Sequence, residues 1–197
     1  VTRRVGEAEG AWSEPENLGA PVNTDWNEIF PSIASSGTLY FQRYEESGSE
    51  SDFYISRLVD GEYQTPVKLE YGISTEHYES HPAVAPDESH LIFQSIRPGG
   101  FGGVDFYVSF RSEDGTWSEP ENLGETVSAS DNVISPMLSP DGRYFFFARN
   151  GPAEPASFPA GPYDELIRRF RGPENGYGCL YWVDASVVYD VHPELRR

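Results

Sequence analysis

Several things that mark other protein classes are scarce in this chain. Cys179 is the lone cysteine among 197 residues, which excludes an internal disulfide and leaves the redox compartment open. Lys68 is the lone lysine, so nearly all the positive charge is arginine. Basic residues number 14 against 32 acids, for a formal net charge of −18. That balance argues against nucleic acid, whose phosphates need basic partners, and against docking on anionic lipid. The acidic surplus itself reads as solubility, as adaptation to salty surroundings or as acid-bound divalent cations. No apolar run is long enough to span a bilayer as a helix, and no charged-then-apolar signal segment opens the chain.

What is present is aromatic and rich in turn formers. Aromatics make up 14% of the residues, with Gly 19 and Pro 16, a composition suited to short strands and tight turns. The pattern repeats. Trp12-x-x-Pro15-x-x-Leu18-Gly19 returns as Tyr63-x-x-Pro66-x-x-Leu69-Glu70 and as Trp117-x-x-Pro120-x-x-Leu123-Gly124, at spacings of 51 and 54 residues. Pro31, Pro82 and Pro136 keep the same two spacings, and Asp52-Phe-Tyr-Ile-Ser56 matches Asp105-Phe-Tyr-Val-Ser109. A shared period in independent landmarks is the mark of tandem structural units.

Each unit reads as four strands. The first opens at the early proline, where a missing N–H costs no ladder bond. A turn follows: Ser35-Ser36-Gly37, Pro86-Asp87-Glu88 or Pro140-Asp141-Gly142. The second strand is the aromatic run Leu39-Tyr40-Phe41, Leu91-Ile92-Phe93 or Phe145-Phe146-Phe147, and the third is the Asp-Phe-Tyr segment. Asp60-Gly61 and Asp114-Gly115 are hairpin signals leading into a fourth strand, the aromatic-x-x-Pro-x-x-Leu stretch.

Four strands in about fifty residues, repeated, is a propeller-blade signature. The repeat resembles the TolB-like, WD-like β-propeller family of bacteria, with its Pro-Asp-Gly turn. Pro136-Met-Leu-Ser-Pro140-Asp141-Gly142-Arg-Tyr-Phe-Phe-Phe147 carries the resemblance best. Pro82 to Phe93 departs at Glu88, and Pro31 to Phe41 departs most. The resemblance implies an all-β protein built as a β-propeller of four-stranded antiparallel blades, with about three blades and a partial one present. The expected division is the end of a preceding blade at 1–26, blades at 27–70, 71–124 and 125–190, and a tail at 191–197. Val1-Thr2-Arg3-Arg4 aligns with Val108-Ser109-Phe110-Arg111, so the chain is expected to open at the end of a third strand, and residues 11–18 to form an orphan fourth strand. Three blades do not close a ring. Either two chains complete six blades as a homodimer, or missing N-terminal blades do so in a longer chain, the reading preferred. An insertion at 150–177 interrupts the last unit, with a short helix expected over Tyr163–Phe170.

Motifs with chemistry are few. His77-Tyr-Glu-Ser-His81 sits in an extended segment, where residues four apart lie roughly 13 Å from each other, too far to share a metal. Gly99-Gly100-Phe101-Gly102-Gly103 lacks the helix start that cradles phosphate and reads as a loop with Phe101 at its tip. Ser112-Glu-Asp114-Gly115-Thr116-Trp117 lacks the spacers of a sialidase Asp-box, and there is no G-x-S-x-G elbow. The repeated polar feature is an acid three residues before the early proline, Glu28 and Glu79, with Val133 in the third unit and Asp131 and Asn132 just ahead of it. On an innermost strand these would rim the channel beside His81. Arg43, Arg97 and Arg149 stand as partners, in inter-blade ion pairs or in binding a ligand. No metal site and no cofactor is expected.

By analogy with the family, the sequence points to a non-catalytic binding scaffold of the bacterial envelope, periplasmic or extracellular, presenting loops and a channel mouth to a protein or glycan partner. The alternative is the substrate-gating propeller of a secreted peptidase or a glycan-active enzyme.

Overall fold

Apolar and polar positions alternate in short stretches closed by glycine, proline or aspartate. In the computed structural model these stretches pair as antiparallel sheets. The structure describes residues 12–44, 51–128, 133–150, 164 and 178–195. The first sheet begins with β1 (Asn27–Ile33), β2 (Leu39–Tyr44) and β3 (Ser51–Ser56). A separate hairpin, β4 (Leu58–Val59) and β5 (Glu62–Tyr63), turns on Asp60 and Gly61, at φ 51° and 83°, as its Asp-Gly pair demands. The chain then returns to the first sheet as β6 (Val67–Lys68), beside β3. The second sheet runs β7 (Glu79–Val84), β8 (His90–Ser95), β9 (Asp105–Phe110) and β10 (Glu121–Asn122) in order. The third holds β11 (Val133–Leu138), β12 (Tyr144–Asn150) and β13 (Gly178–Asp184). Each sheet is an up-and-down meander, and the inner strands β1, β7 and β11 lie side by side. This is a propeller-type, all-β fold, and the three sheets do not close a ring among the described residues.

Four details differ from the sequence reading. Pro31, Pro82 and Pro136 lie inside their strands rather than at the first residue. The pairing register slips across each proline, between Ile29 and Ser32, Ser80 and Ala83, and Ile134 and Met137. A bulge leaves one residue outside the ladder, so the missing N–H is accommodated there. The fourth strands shrink to two residues, because Pro66 and Pro120 cannot donate and the aromatic residues pair elsewhere: Tyr63 with Leu58, Trp117 with Arg111. Residues 13–18 form no strand; Leu18 packs against the first sheet by its side chain. In the third unit the chain after β13 makes two 3-10 turns, Ala185–Tyr189 and Pro193–Leu195, instead of a fourth strand. The expected helix at 163–170 and the expected opening at Val1 lie outside the described residues.

The core forms where sheets face one another. Tyr40 and Phe53 of the first sheet pack on Val84, Leu91, Phe93 and Tyr107 of the second. Ile92, Phe106 and Val108 on the second sheet's other face pack on Val133, Phe145 and Phe147 of the third. Period-two alternation thus feeds two interfaces from one strand, since Leu91 and Phe93 point one way and Ile92 the other. The opposite face of the first sheet, with Leu39, Phe41 and Tyr54, is covered by Leu18 and Val22. Each buried phenylalanine or leucine contributes about 1.5–3 kcal/mol.

Glu88 shows what a glycine place is worth. The tight turns close with a hydrogen bond from Gly37 to Ala34, Glu88 to Ala85 and Gly142 to Ser139, and the donor residue has positive φ each time: 85°, 60° and 69°. Glutamate is strained there, yet its carboxylate ties the sheets together. It accepts from Ser36 Oγ at 2.5 Å and Tyr40 OH at 2.8 Å on the first sheet, and pairs with Arg111 at 2.9 Å.

Candidate functional site

The repeated acids come to rest in one construction used twice. Glu28 on β1 lies directly across from Arg43 on β2, and their ion pair measures 2.9 Å. Thr24 donates to the same carboxylate from Oγ1 at 2.6 Å and from its N–H at 3.3 Å. Arg43 also donates to Val22 O at 3.0 Å and lies over the Tyr54 ring, 4.6 Å from its centroid. The second sheet repeats every member: Glu79 with Arg97 at 3.1 Å, Thr75 at 2.7 Å and 2.9 Å, Arg97 to Ile73 O at 3.1 Å, and Arg97 over Tyr107 at 5.0 Å. Ser95 adds a further donor to Glu79 at 3.1 Å.

These pairs lie within a sheet, not between sheets, and they do not line the groove between the inner strands. Cross-strand register sets the first point for Glu28 and Arg43, direct neighbours on antiparallel strands, whereas Glu79 lies across from Ser95 and Arg97 reaches back to it from just past the end of β8. The bulges set the second, since the acids precede the register slip. Glu79 is fully buried and Glu28 nearly so. In the third sheet Val133 takes the acid's place in the core, while Arg149 keeps its position over Tyr181 at 4.8 Å. Asp131 and Asn132 lie outside the described residues.

What the bulges do turn inward is the residue just before each proline. Phe30, His81 and Ser135 have φ of 50°, 55° and 56°. All three line a groove of about 700 Å³ between the inner strands, with Pro31, Pro82, Pro136 and Met137. Backbone strain at three matching positions is held by the surroundings. At His81 and Ser135 the holding group is a glutamine on the preceding sheet. Gln42 donates to Glu79 O at 3.1 Å, and its Oε1 accepts from His81 N–H at 3.4 Å and Ser80 Oγ at 3.0 Å. Gln94 repeats this on the third sheet, donating to Val133 O at 3.1 Å and accepting from Ser135 N–H at 3.0 Å.

His81 is the one titratable group among the groove-lining residues. Its ring stacks on Phe30 with centroids 3.5 Å apart, and burial lowers its pKa below the usual histidine value, so it is neutral at pH 7. Ser80 Oγ lies 2.6 Å from Nδ1 and gives its own proton to Gln42, so Nδ1 donates and Nε2 is left as an acceptor. The groove is therefore flat, aromatic and largely apolar. Phe101 is half exposed and lies in a separate loop, whose N–H groups at 101 and 102 donate to Asp105 Oδ2 at 2.8 Å and 3.3 Å. Gly100 is required there: a Cβ would sit 1.7 Å from that carboxylate oxygen. No group of three or more metal-ligating side chains occurs among the described residues.

Sequence reasoning placed Glu28, Glu79, Arg43 and Arg97 in partnership, but missed the glutamines, Glu88 and the threonines. The signals were present. Gln42 and Gln94 each follow the aromatic run, and Thr24 and Thr75 each stand four residues before a repeated glutamate.

No protein-family model matches the chain, and no curated protein matches it either. Among solved structures, a puromycin hydrolase aligns over 83% of this chain at 13% identity with a TM-score of 0.46. A prolyl endopeptidase aligns over 63% at 14% identity with a TM-score of 0.40, and the hydrazine synthase of Kuenenia stuttgartiensis over 61% at 12% with 0.35. This chain spans 22%, 18% and 38% of those three chains. The likeness concerns the fold alone.

Proposed function

We propose that the chain is a non-catalytic binding scaffold of the bacterial envelope, whose inner-strand groove takes an apolar segment of a protein partner. One observation carries this reading: three matching bulges turn Phe30, His81 and Ser135 into a common groove of about 700 Å³. That volume suits a few side chains of an extended peptide. Prolines and an aromatic pair form much of the wall, and a neutral imidazole offers few of the hydrogen bonds that a sugar would require. A peptide is therefore favoured over a glycan. The envelope location rests on the resemblance to TolB-like repeats. The glutamates, engaged with Arg43 and Arg97, hold the strand ends and leave recognition to the residues before the prolines.

The test is a screen of immobilised protein against arrays of apolar octapeptides and of envelope glycans. Expected is a peptide hit weakened at least tenfold by His81→Ala or Phe30→Ala, and untouched by Phe101→Ala. Hits confined to glycans, hits indifferent to both groove substitutions, or turnover of the bound peptide would each overturn the proposal.

A further inference from the structure

The third sheet carries an apolar face that its two siblings hide. At four matching positions the first sheet has Tyr40, Gln42, Phe53 and Ile55, and the second has Ile92, Gln94, Phe106 and Val108. In both, the next sheet covers them, and Phe53, Ile92, Phe106 and Val108 are fully buried. Register places Phe146, Ala148, Leu180 and Trp182 at the same four positions of the third sheet. There Leu180 is 87% exposed, Trp182 63% and Phe146 37%. Tyr144 continues the strip, its ring 5.3 Å from Trp182. A contiguous aromatic face of this kind marks an interaction surface rather than a chance exposed side chain.

We infer that this face docks on its own counterpart in a second copy of the chain, forming an isologous dimer through β12 and β13. Two observations select that occupant over another sheet of the repeat. The position that grips a neighbouring bulged inner strand, Gln42 and then Gln94, is Ala148 here. The face therefore lacks the amide that holds β7 and β11 in place, and small Ala148 lets a flat surface approach closely. The second observation concerns the other end of the array among the described residues. The outer face of the first sheet is already covered, with Leu39, Phe41 and Tyr54 buried under Leu18 and Val22. Head-to-tail association would have to displace those residues. The third-sheet face needs no displacement, and its four matching positions carry no charge, so a two-fold axis through them sets no like charges against each other at its centre despite the net charge of −18.

Sedimentation velocity on the full 197-residue chain at micromolar to submillimolar concentration tests the proposal. The wild-type chain is expected to sediment at twice the chain mass. Leu180→Arg and Trp182→Arg should each weaken the dimer by roughly thirtyfold or more, the scale of a hot-spot residue. Both side chains are exposed within one chain, so an unchanged far-UV spectrum will confirm that the variants fold. Ile33→Glu, on the exposed end of the first sheet, should leave the dimer intact. A wild-type monomer throughout the concentration range overturns the proposal, as does a dimer insensitive to Leu180→Arg. Dissociation by Ile33→Glu would mean head-to-tail packing and overturns it equally.

Discussion

The second and third sheets are built to one plan and finished differently. Both have a bulged inner strand, an aromatic second strand and a third strand of alternating faces. The second is covered on both sides, and its acid and its amide are engaged: Glu79 with Arg97, Thr75 and Ser95, and Gln94 with the next bulge. His90 Nε2, Asp105 Oδ1 and Asn122 Nδ2 are buried there without a hydrogen-bond partner. The third has Val133 for the glutamate, Ala148 for the glutamine and an uncovered face. The repeat thus specifies strands and alternation, while the polar residues specify what each sheet adjoins. The amide is retained where a neighbouring inner strand is held, and alanine replaces it where none is.

The largest test of that difference removes the acid. Glu79→Leu leaves Arg97 near a buried site without its carboxylate, and the Thr75 N–H and hydroxyl without an acceptor. A loss of about 3–5 kcal/mol is expected, the range for breaking a buried pair from one side. Urea titration measures it. The third sheet shows that an aliphatic residue packs at this position when its surroundings are fitted to it, so the cost arises from the stranded partners and not from the shape. A Glu79→Leu variant within about 1 kcal/mol of wild type, the scale of a surface change, would refute this.

A second contrast is in pH dependence. His90 on β8 is buried against Phe110 and Tyr189, with Ser89 Oγ on Nδ1 and Asp87 nearby, and burial lowers its pKa to about 4. The matching residue of the third sheet is Tyr144. The unfolded chain binds a proton at the ordinary value of 6.5, above the folded value. Stability from this group is therefore complete above pH 6.5 and is lost as pH falls toward 4, by about 3 kcal/mol at most. His81, also lowered by burial, adds in the same direction. Below about 4.5 Glu88 joins them: burial raises its pKa, but the hydroxyls of Ser36, Tyr40 and Thr38 and the charge of Arg111 lower it further. Urea midpoints for His90→Phe should change much less between pH 7 and pH 4.5 than those of the wild type. An unaltered slope would assign the acid sensitivity elsewhere.

The sequence made the sheets legible because their period is carried by hydrophobic alternation and by proline and glycine at fixed places. The three inner strands, the second strands and the third strands of the first two sheets follow from Pro31, Pro82 and Pro136, from the aromatic runs and from Asp52 and Asp105. The site was half legible. Acid and arginine could be paired by spacing, but which way they pointed could not, because a one-residue bulge reverses the faces of a strand and has no sequence mark beyond the proline itself. That is why Glu28 and Glu79 were expected at the channel and Phe30 and Ser135 were not. Gln42 and Gln94 act across sheets some forty residues away in sequence, and no local pattern reports such a contact.

The glutamine clamp gives the smallest effect and the most direct comparison. Gln94→Leu keeps the volume and removes both hydrogen bonds, leaving the carbonyl of Val133 and the N–H of Ser135 without their side-chain partner. A buried group deprived of its partner costs about 1–3 kcal/mol, and partial relaxation of the bulge places the total near 2 kcal/mol. Ala148→Gln makes the reverse exchange on the third sheet. Its side chain enters a face with no bulged strand opposite, so at concentrations below self-association a change within about 0.5 kcal/mol is expected. Amide exchange at Ser135 should rise in Gln94→Leu and stay unaltered in Ala148→Gln. Equal stability losses from the two substitutions would mean that the amide works within its own sheet, and the distinction drawn between the second and third sheets would fall with it.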